Sequence, residues 1–142
     1  MSADDAGLVH VLDLEQLRAL GQRYARAVDA RDYDALASLF HPDAIVDGLR
    51  GTAGITEYLA TLRDTPASYE RSMHVLGDPL IGFAPGAGRA SLDTYAVVYQ
   101  VGSLREGGAD MTLGMRYLDE VEKRDGVWRI LHRRTAMLWS RT

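Results

Sequence analysis

The chain has 142 residues, no cysteine, and 16 basic against 20 acidic side chains, for a formal net charge of -4. One domain with its own core fits that length, since a chain of this size hides roughly 70% of its unfolded surface on folding. The acidic balance excludes a basic stripe for nucleic acid, and the missing thiols exclude disulfides, thiolate zinc sites and a cysteine nucleophile.

The N-terminus, MSADDAGLVHVLDL, carries acids where a secretory signal carries its basic region, and no apolar run approaches membrane-spanning length. A cytoplasmic protein without membrane contact is the expectation. An Asn-free, Ala-rich composition with one lysine, Lys123, fits coding by a GC-rich bacterial genome. Residues 1–12 are expected to be a flexible N-terminal segment of a single domain spanning 1–142.

Leu14, Leu17, Gly21, Tyr24 and Val28 recur at three- and four-residue steps, the period of one helix face, with Asp13 as the predicted N-cap. Asp32 is placed to cap a second, shorter helix through Leu36, Leu39 and Phe40. His41-Pro42 closes it, because a residue before proline is pushed out of the helical region. His41 is expected at the surface. Ala44-Ile45-Val46 reads as a short strand ending at Asp47-Gly48, and Thr52 opens a third helix carrying Ile55, Tyr58, Leu59 and Leu62.

Four long strands are predicted after that, over residues 69–83, 90–104, 109–124 and 127–139. The turns APGAG, REGG and RDG separate them, so an antiparallel meander follows. PGAG is a hairpin turn rather than a phosphate cradle, having neither the further glycine spacing nor a following helix. On the second strand Ser91, Asp93, Tyr95, Val97, Tyr99 and Val101 share a face; on the third, Met111, Leu113, Met115, Tyr117 and Val121 do. Asp93 therefore sits in an apolar row. The last strand is apolar on both sides around Thr135, Met137 and Trp139, which suits a pocket on one face and a homodimer on the other. The order α-α-β-α-β-β-β-β predicts an α+β fold: three N-terminal helices against one curved sheet.

YARAVDARDYDALASLFHPDAIVDGLRG, the His74 strand and RYLDEVEKRDGVWRILHRR together resemble the SnoaL-like branch of the nuclear-transport-factor-2-like superfamily, over nearly the whole chain. The resemblance implies a cone-shaped α+β fold with a curved, mixed or antiparallel sheet, a deep pocket between helices and sheet, and commonly a dimer. The superfamily hosts dehydratases, polyketide cyclases, isomerases, dehydrohalogenases and non-catalytic binders, so it specifies the fold better than the function. Within it, the pattern is similar to that of scytalone dehydratase, the bile-acid dehydratases and hexachlorocyclohexane dehydrochlorinase. Their positions fall here on Tyr24, Asp29, His74 and Arg133, with Asp93 also similar to the bile-acid enzymes. Helical geometry alone does not propose the first pair, because five residues turn about 140° around a helix.

What the resemblance implies chemically is proton abstraction beside an activated carbonyl, or a related elimination. His74 is the candidate base and acid, Asp29 its orienting carboxylate and Tyr24 the donor to a developing enolate. Arg133 is expected to neutralise Asp29 or Asp93, and Tyr95 and Tyr117 join these as supporting or binding residues. That chemistry requires neither a metal nor an organic cofactor.

Structural roles stand beside these. Tyr24 also completes an apolar stripe, Asp29 lies near a helix end between arginines, and Asp93 with Arg133 suits an ion pair across the sheet. The ketosteroid-isomerase mechanism is disfavoured, since its base falls on Gly48 while Asp47 lies one residue early, on the opposite face. An epoxide-hydrolase arrangement of Asp93 with Arg116 or Arg133 is not evident. The reading is therefore a dehydratase-like lyase or isomerase acting on a small hydrophobic cyclic molecule. The alternatives are a polyketide cyclase-type enzyme and a non-catalytic small-molecule-binding domain.

Overall fold

In the structure, a computed structural model, residues 1–85 and 88–142 are described. Gly86 and Ala87, within the predicted PGAG turn, lie outside the described residues. Three helices, α1 (Ala3–Ala30), α2 (Tyr33–Ala37) and α3 (Ile55–Asp64), accompany seven strands. These are β1 (Phe40–Gly48), β2 (Gly51–Gly54), β3 (Tyr69–Leu76), β4 (Leu80–Phe83), β5 (Arg89–Ser103), β6 (Met111–Arg124) and β7 (Val127–Arg141).

They form one sheet in the order β2-β1-β7-β6-β5-β3, with β4 also paired to β5. β5, β6 and β7 are the expected antiparallel meander, whereas β1 joins β7 in parallel, so the sheet is mixed. The segment predicted as one strand over 69–83 is two: β3 pairs with the second half of β5 and β4 with the first. Pro79 lies in the break, where a missing N–H costs no ladder bond.

α1 starts ten residues before the predicted cap. Ser2 and Asp5 form a capping box, each side chain accepting from the other's backbone N–H. Residues expected to be flexible thus belong to the helix, although Leu8, Val11 and Leu12 stay exposed along it. Asp13 caps nothing; its Oδ1 accepts from Trp128 Nε1 and Lys123 Nζ, both at 2.9 Å, which ties α1 to the β6–β7 hairpin. Beyond it the helix buries Leu17, Leu20, Tyr24 and Ala27 against the sheet. It ends at Arg31, whose left-handed φ of 54° lets its N–H reach back to the last turn.

Two further boundaries differ from the sequence reading. α2 ends at Ala37, and Phe40-His41-Pro42 begins β1, because the extended backbone that proline imposes on His41 is strand geometry. His41 is accordingly buried rather than on the surface, its Nε2 donating to the Glu122 carbonyl at 2.7 Å. Thr52 lies in the short strand β2, its hydroxyl donating to Asp47, and α3 starts at Ile55. The core between helices and sheet gathers Leu17, Leu36, Val46, Val121 and Ile130, all essentially without solvent contact.

Candidate active site

β3 is the edge strand of the sheet, paired on one side with β5 alone. Backbone groups on a free edge need partners, and the end of α1 supplies them. Asp29 Oδ2 accepts the His74 backbone N–H at 2.8 Å and Oδ1 the Ser72 hydroxyl at 2.7 Å. Arg31 Nη2 donates to the Tyr69 and Glu70 carbonyls at 2.9 and 3.1 Å. Gly21 lets the end of β3 approach closely, since a Cβ there would lie 3.0 Å from the Leu76 side chain.

This clamp also orients an imidazole. His74 shares the inner sheet face with its cross-strand partner Val98, and its Nδ1 lies 2.6 Å from Asp29 Oδ1. With Asp29 ionised, Nδ1 carries the proton and Nε2 is left as the basic nitrogen. The His74 side chain is 9% exposed. Burial lowers its pKa below the ordinary histidine value, and the hydrogen bond and charge of Asp29 offset only part of that effect.

Tyr24 meets the ring edge to face, with centroids 5.9 Å apart, and makes a second such contact with Tyr117 at 5.6 Å. Burial raises its phenol pKa, against the opposing charge of Arg133, so the hydroxyl is neutral and able to donate. Burial likewise raises Tyr117 and Tyr58, the latter on α3 against Gly48. Arg133 lies over the Tyr24 and Tyr117 rings, its guanidinium carbon 4.1 and 4.6 Å from their centroids.

The expected partners of Arg133 are corrected. It pairs with neither Asp29 nor Asp93 but with Asp119, a residue the sequence reading did not single out: Nε to Oδ1 at 2.7 Å and Nη2 to Oδ2 at 2.8 Å, both residues buried. Its Nη1 is buried with no hydrogen-bond partner among the described residues. Asp93 and Tyr95 lie on the other side of the sheet. Asp93 accepts a bidentate pair from Arg116 at 2.9 and 2.6 Å, and Tyr95, 62% exposed, packs beside that guanidinium. Neither belongs to the interior, and the Asp93–Arg116 couple is no epoxide-opening set within it. Asp47 also faces outward, to His132, while Gly48 takes the inner position.

Tyr24, Asp29, His74, Arg133 and Tyr117 therefore converge, joined by Ser72, Asp119 and Tyr58. Four ligand-sized cavities of about 380 to 520 Å³ lie elsewhere, without His74, Asp29 or Tyr24 in their walls. A hollow of about 10 Å³ between Leu17, Gly21, Leu76, Asp119 and Arg133 has room for about one water.

Residues 9–134 match the SnoaL-like domain family. The chain belongs to that family. Its architecture, three helices on an open seven-stranded mixed sheet, is the cone-shaped α+β fold of the nuclear-transport-factor-2-like proteins. Similar solved structures include a hexachlorocyclohexane dehydrochlorinase, LinA type 2, at 22% identity and TM-score 0.84, covering 95% of this chain and 91% of that one. LinA type 3 from Novosphingobium barchaimii LL02 is 24% identical with TM-score 0.82, covering 95% and 92%. A scytalone dehydratase-like protein from Novosphingobium aromaticivorans DSM 12444 is 21% identical with TM-score 0.82, covering 94% and 89%. At such identities the likeness is one of fold. A search of curated proteins finds no significant match. Among the described residues no helix is long and apolar enough to cross a membrane.

Proposed function

We propose that this SnoaL-like protein is a cofactor-independent lyase or isomerase, most concretely a dehydratase acting on a small, hydrophobic cyclic carbonyl compound. The observation that carries the reading is the half-buried His74–Asp29 pair, which holds Nδ1 and leaves Nε2 as a base on the ring that meets the Tyr24 phenol. That similar structures include a dehydrochlorinase and a scytalone dehydratase-like protein supports elimination chemistry.

In the proposed reaction Nε2 removes a proton from the carbon next to the carbonyl, and the electrons of that C–H bond move toward the carbonyl oxygen. Tyr24 donates to this oxygen as its charge grows, a contribution worth most where water is excluded. Arg133 Nη1, buried with a donor to spare, adds positive potential at the same end. Asp29 stabilises the imidazolium formed. The β carbon–oxygen bond then breaks as the new double bond forms, and His74 returns its proton to the departing hydroxide, which leaves as water. The substrate loses one water, and the enzyme ends as it began.

The test is a screen of cyclic β-hydroxy ketones for water loss by mass spectrometry, and of the parent ketones for exchange of α-protons with deuterium by NMR. The wild type turns over at least one compound, and a folded His74→Ala protein loses that activity. Full turnover by His74→Ala sinks the reading. Polyketide cyclase-type ring closure, which also needs a single acid-base residue, gives a product of unchanged composition in the same screen.

The four ligand-sized cavities all lie away from His74, which favours a second reading, a non-catalytic small-molecule-binding domain. It predicts ligand binding that survives His74→Ala and no turnover by either protein.

Self-association through the outer sheet face accompanies both readings. Met73, Val75, Tyr95, Tyr99 and Trp139 are each at least 40% exposed. The Trp139 indole lies on Gly114, where a Cβ would come within 2.1 Å of it. An apolar surface of this kind on one side of a sheet is suited to a second copy of itself. Sedimentation equilibrium of the wild type shows a dimer under this proposal, and Tyr95→Arg with Trp139→Arg a monomer.

A further inference from the structure

We infer that a groove remote from His74 is a binding site for an amphipathic carboxylate, a single negative charge on an extended apolar body. The groove, about 470 Å³, runs between the second half of α1, α2 and the start of β7. Volumes of this order are usual for small-molecule sites.

Leu20, Ala27, Leu39 and Trp128 form its floor, all of them buried. Ala30 and Ala35 leave the width open, since neither side chain extends beyond a methyl. The rim is cationic: Arg23, Arg26 and Arg129 line the groove, and among the described residues none of the three is in an ion pair. Arg26 is turned to its own helix, donating to the Gln22 carbonyl and amide oxygens. Arg23 makes no side-chain hydrogen bond among the described residues. Arg129 Nε is buried without a partner among the described residues, a donor already stripped of water. The lining carboxylate, Asp32, is engaged by the Ala35 N–H as the cap of α2, and Ser38 donates to the Ala35 carbonyl.

A desolvated guanidinium donor on Arg129, with Arg23 and Arg26 adding positive charge at the solvent side of an apolar floor, is the arrangement that an anionic headgroup with an apolar tail satisfies on both counts, since the unpaired Arg129 donor gains from a charged acceptor. A neutral tail leaves the rim unpaired, and an inorganic anion leaves the floor wet. The site is separate from the proposed reaction centre, and the inference does not depend on that reading.

The experiment is calorimetric titration of the full chain with decanoate, with decanol and inorganic phosphate as probes that each lack half of the recognition. Decanoate is expected to bind at one equivalent, at least tenfold tighter than either, because a charge-assisted hydrogen bond is worth about a factor of ten or more. Arg129→Gln should weaken it by about tenfold on the same grounds, and Arg23→Gln, which removes an exposed charge, by a few-fold, roughly the value of an exposed ion pair. Ala30→Trp, which fills the groove and keeps every charge, should abolish binding and guards against an arginine variant that fails to fold. His74→Gln should leave decanoate affinity unchanged, so the outcome here is independent of any loss of turnover. Equal binding of decanol, undiminished affinity in Arg23→Gln and Ala30→Trp, or loss of binding in His74→Gln would each overturn the proposal.

Discussion

Two histidine–aspartate pairs of nearly equal length lie on opposite faces of the same sheet. His74 Nδ1 is 2.6 Å from Asp29, and His132 Nε2 is 2.7 Å from Asp47. Distance does not separate them, but surroundings do. The His74 and Asp29 side chains are 9% and 21% exposed, His132 and Asp47 30% and 35%. Asp29 is also held by a backbone N–H and the Ser72 hydroxyl, whereas Asp47 has one further donor, Thr52. The free nitrogen of His74 is beside a buried phenol whose proton is retained; that of His132 is on the outer face. A histidine–carboxylate pair becomes a candidate for chemistry when burial, a fixed tautomer and a neighbouring donor coincide.

The largest effect expected from breaking this contrast is on turnover. Asp29→Asn removes the charge that holds Nδ1–H and stabilises the imidazolium, so kcat should fall by roughly 10²- to 10⁴-fold. The same change at Asp47 should leave kcat unaltered. Both are read on whichever compound the screen identifies, with circular dichroism to confirm that each variant is folded. A reversed result would exchange the roles of the two pairs.

Next in size is the ion pair behind the inner site. Asp119→Asn leaves the Arg133 guanidinium, 3% exposed, without its counter-charge. Breaking a buried pair in this way costs about 3–5 kcal/mol. A clear fall in the urea midpoint at unchanged m-value is the expected outcome. Asp119→Asn with wild-type stability would mean that stacking on Tyr24 and Tyr117 suffices to hold the cation.

A smaller effect, in pH, sharpens the comparison further. Burial lowers the His74 pKa below 6.5 in the folded chain, so protonation favours the unfolded state. The stability linked to His74 is therefore fully present above about pH 6.5 and is lost as pH falls through that value toward the lowered one. Thermal melts from pH 7.5 down to 5 should show a decline that His74→Gln removes and His132→Gln does not. The acid limb of kcat/KM should also lie below pH 6.5.

How much of this was legible in the residues depended on local regularity. The stripe Leu17, Tyr24 with their neighbours, and the β5–β7 hairpins with their glycine turns, followed from periodicity. Alternation grouped Asp93 correctly with Tyr95, Val97, Tyr99 and Val101, but the opposite row, Ala90, Leu92, Ala96 and Val98, is apolar too and is the buried one. Nothing in the pattern ranks one apolar face above another; the smaller residues are inside because α1 packs near. Asp119 escaped notice for a different reason. A bulge between Ile130 and His132 shifts the β6–β7 register, so Ile130 and Arg133, three apart and nominally on opposite faces, both point inward. Without that bulge, Arg133 has no reason to meet Asp119. Asp29 and Tyr24, about 140° apart on α1, reach one imidazole because His74 is on an edge strand. The carboxylate approaches along the free edge and the phenol from above the sheet. Strand order decides this, and spacing along a helix carries no trace of it. Ser72, two residues from His74 and on its face, was recoverable only once β3 was known to be an edge.

The smallest effect is expected at the outer pair itself. In His132→Ala the imidazole is lost, and Asp47 keeps the Thr52 hydroxyl across the β1–β2 hairpin. Both partners are exposed enough for water to replace what each loses, and exposed ion pairs contribute little once ordering two side chains is counted. The melting temperature should therefore not move beyond measurement scatter, at low salt or high. A substantial drop would require His132 to hold the junction of β1 and β7, the one parallel pairing among the described strands. Arg134, beside Asp47 in that register, gives a way to tell, because a junction maintained by charge would fall with Arg134→Ala as well and recover in neither salt condition. If His132→Ala alone were destabilising, the imidazole would be acting through packing on the outer face. The contrast with His74 would then lie in which side of the sheet each ring supports, both being structural, and the burial of His74 would lose its force as an argument for chemistry.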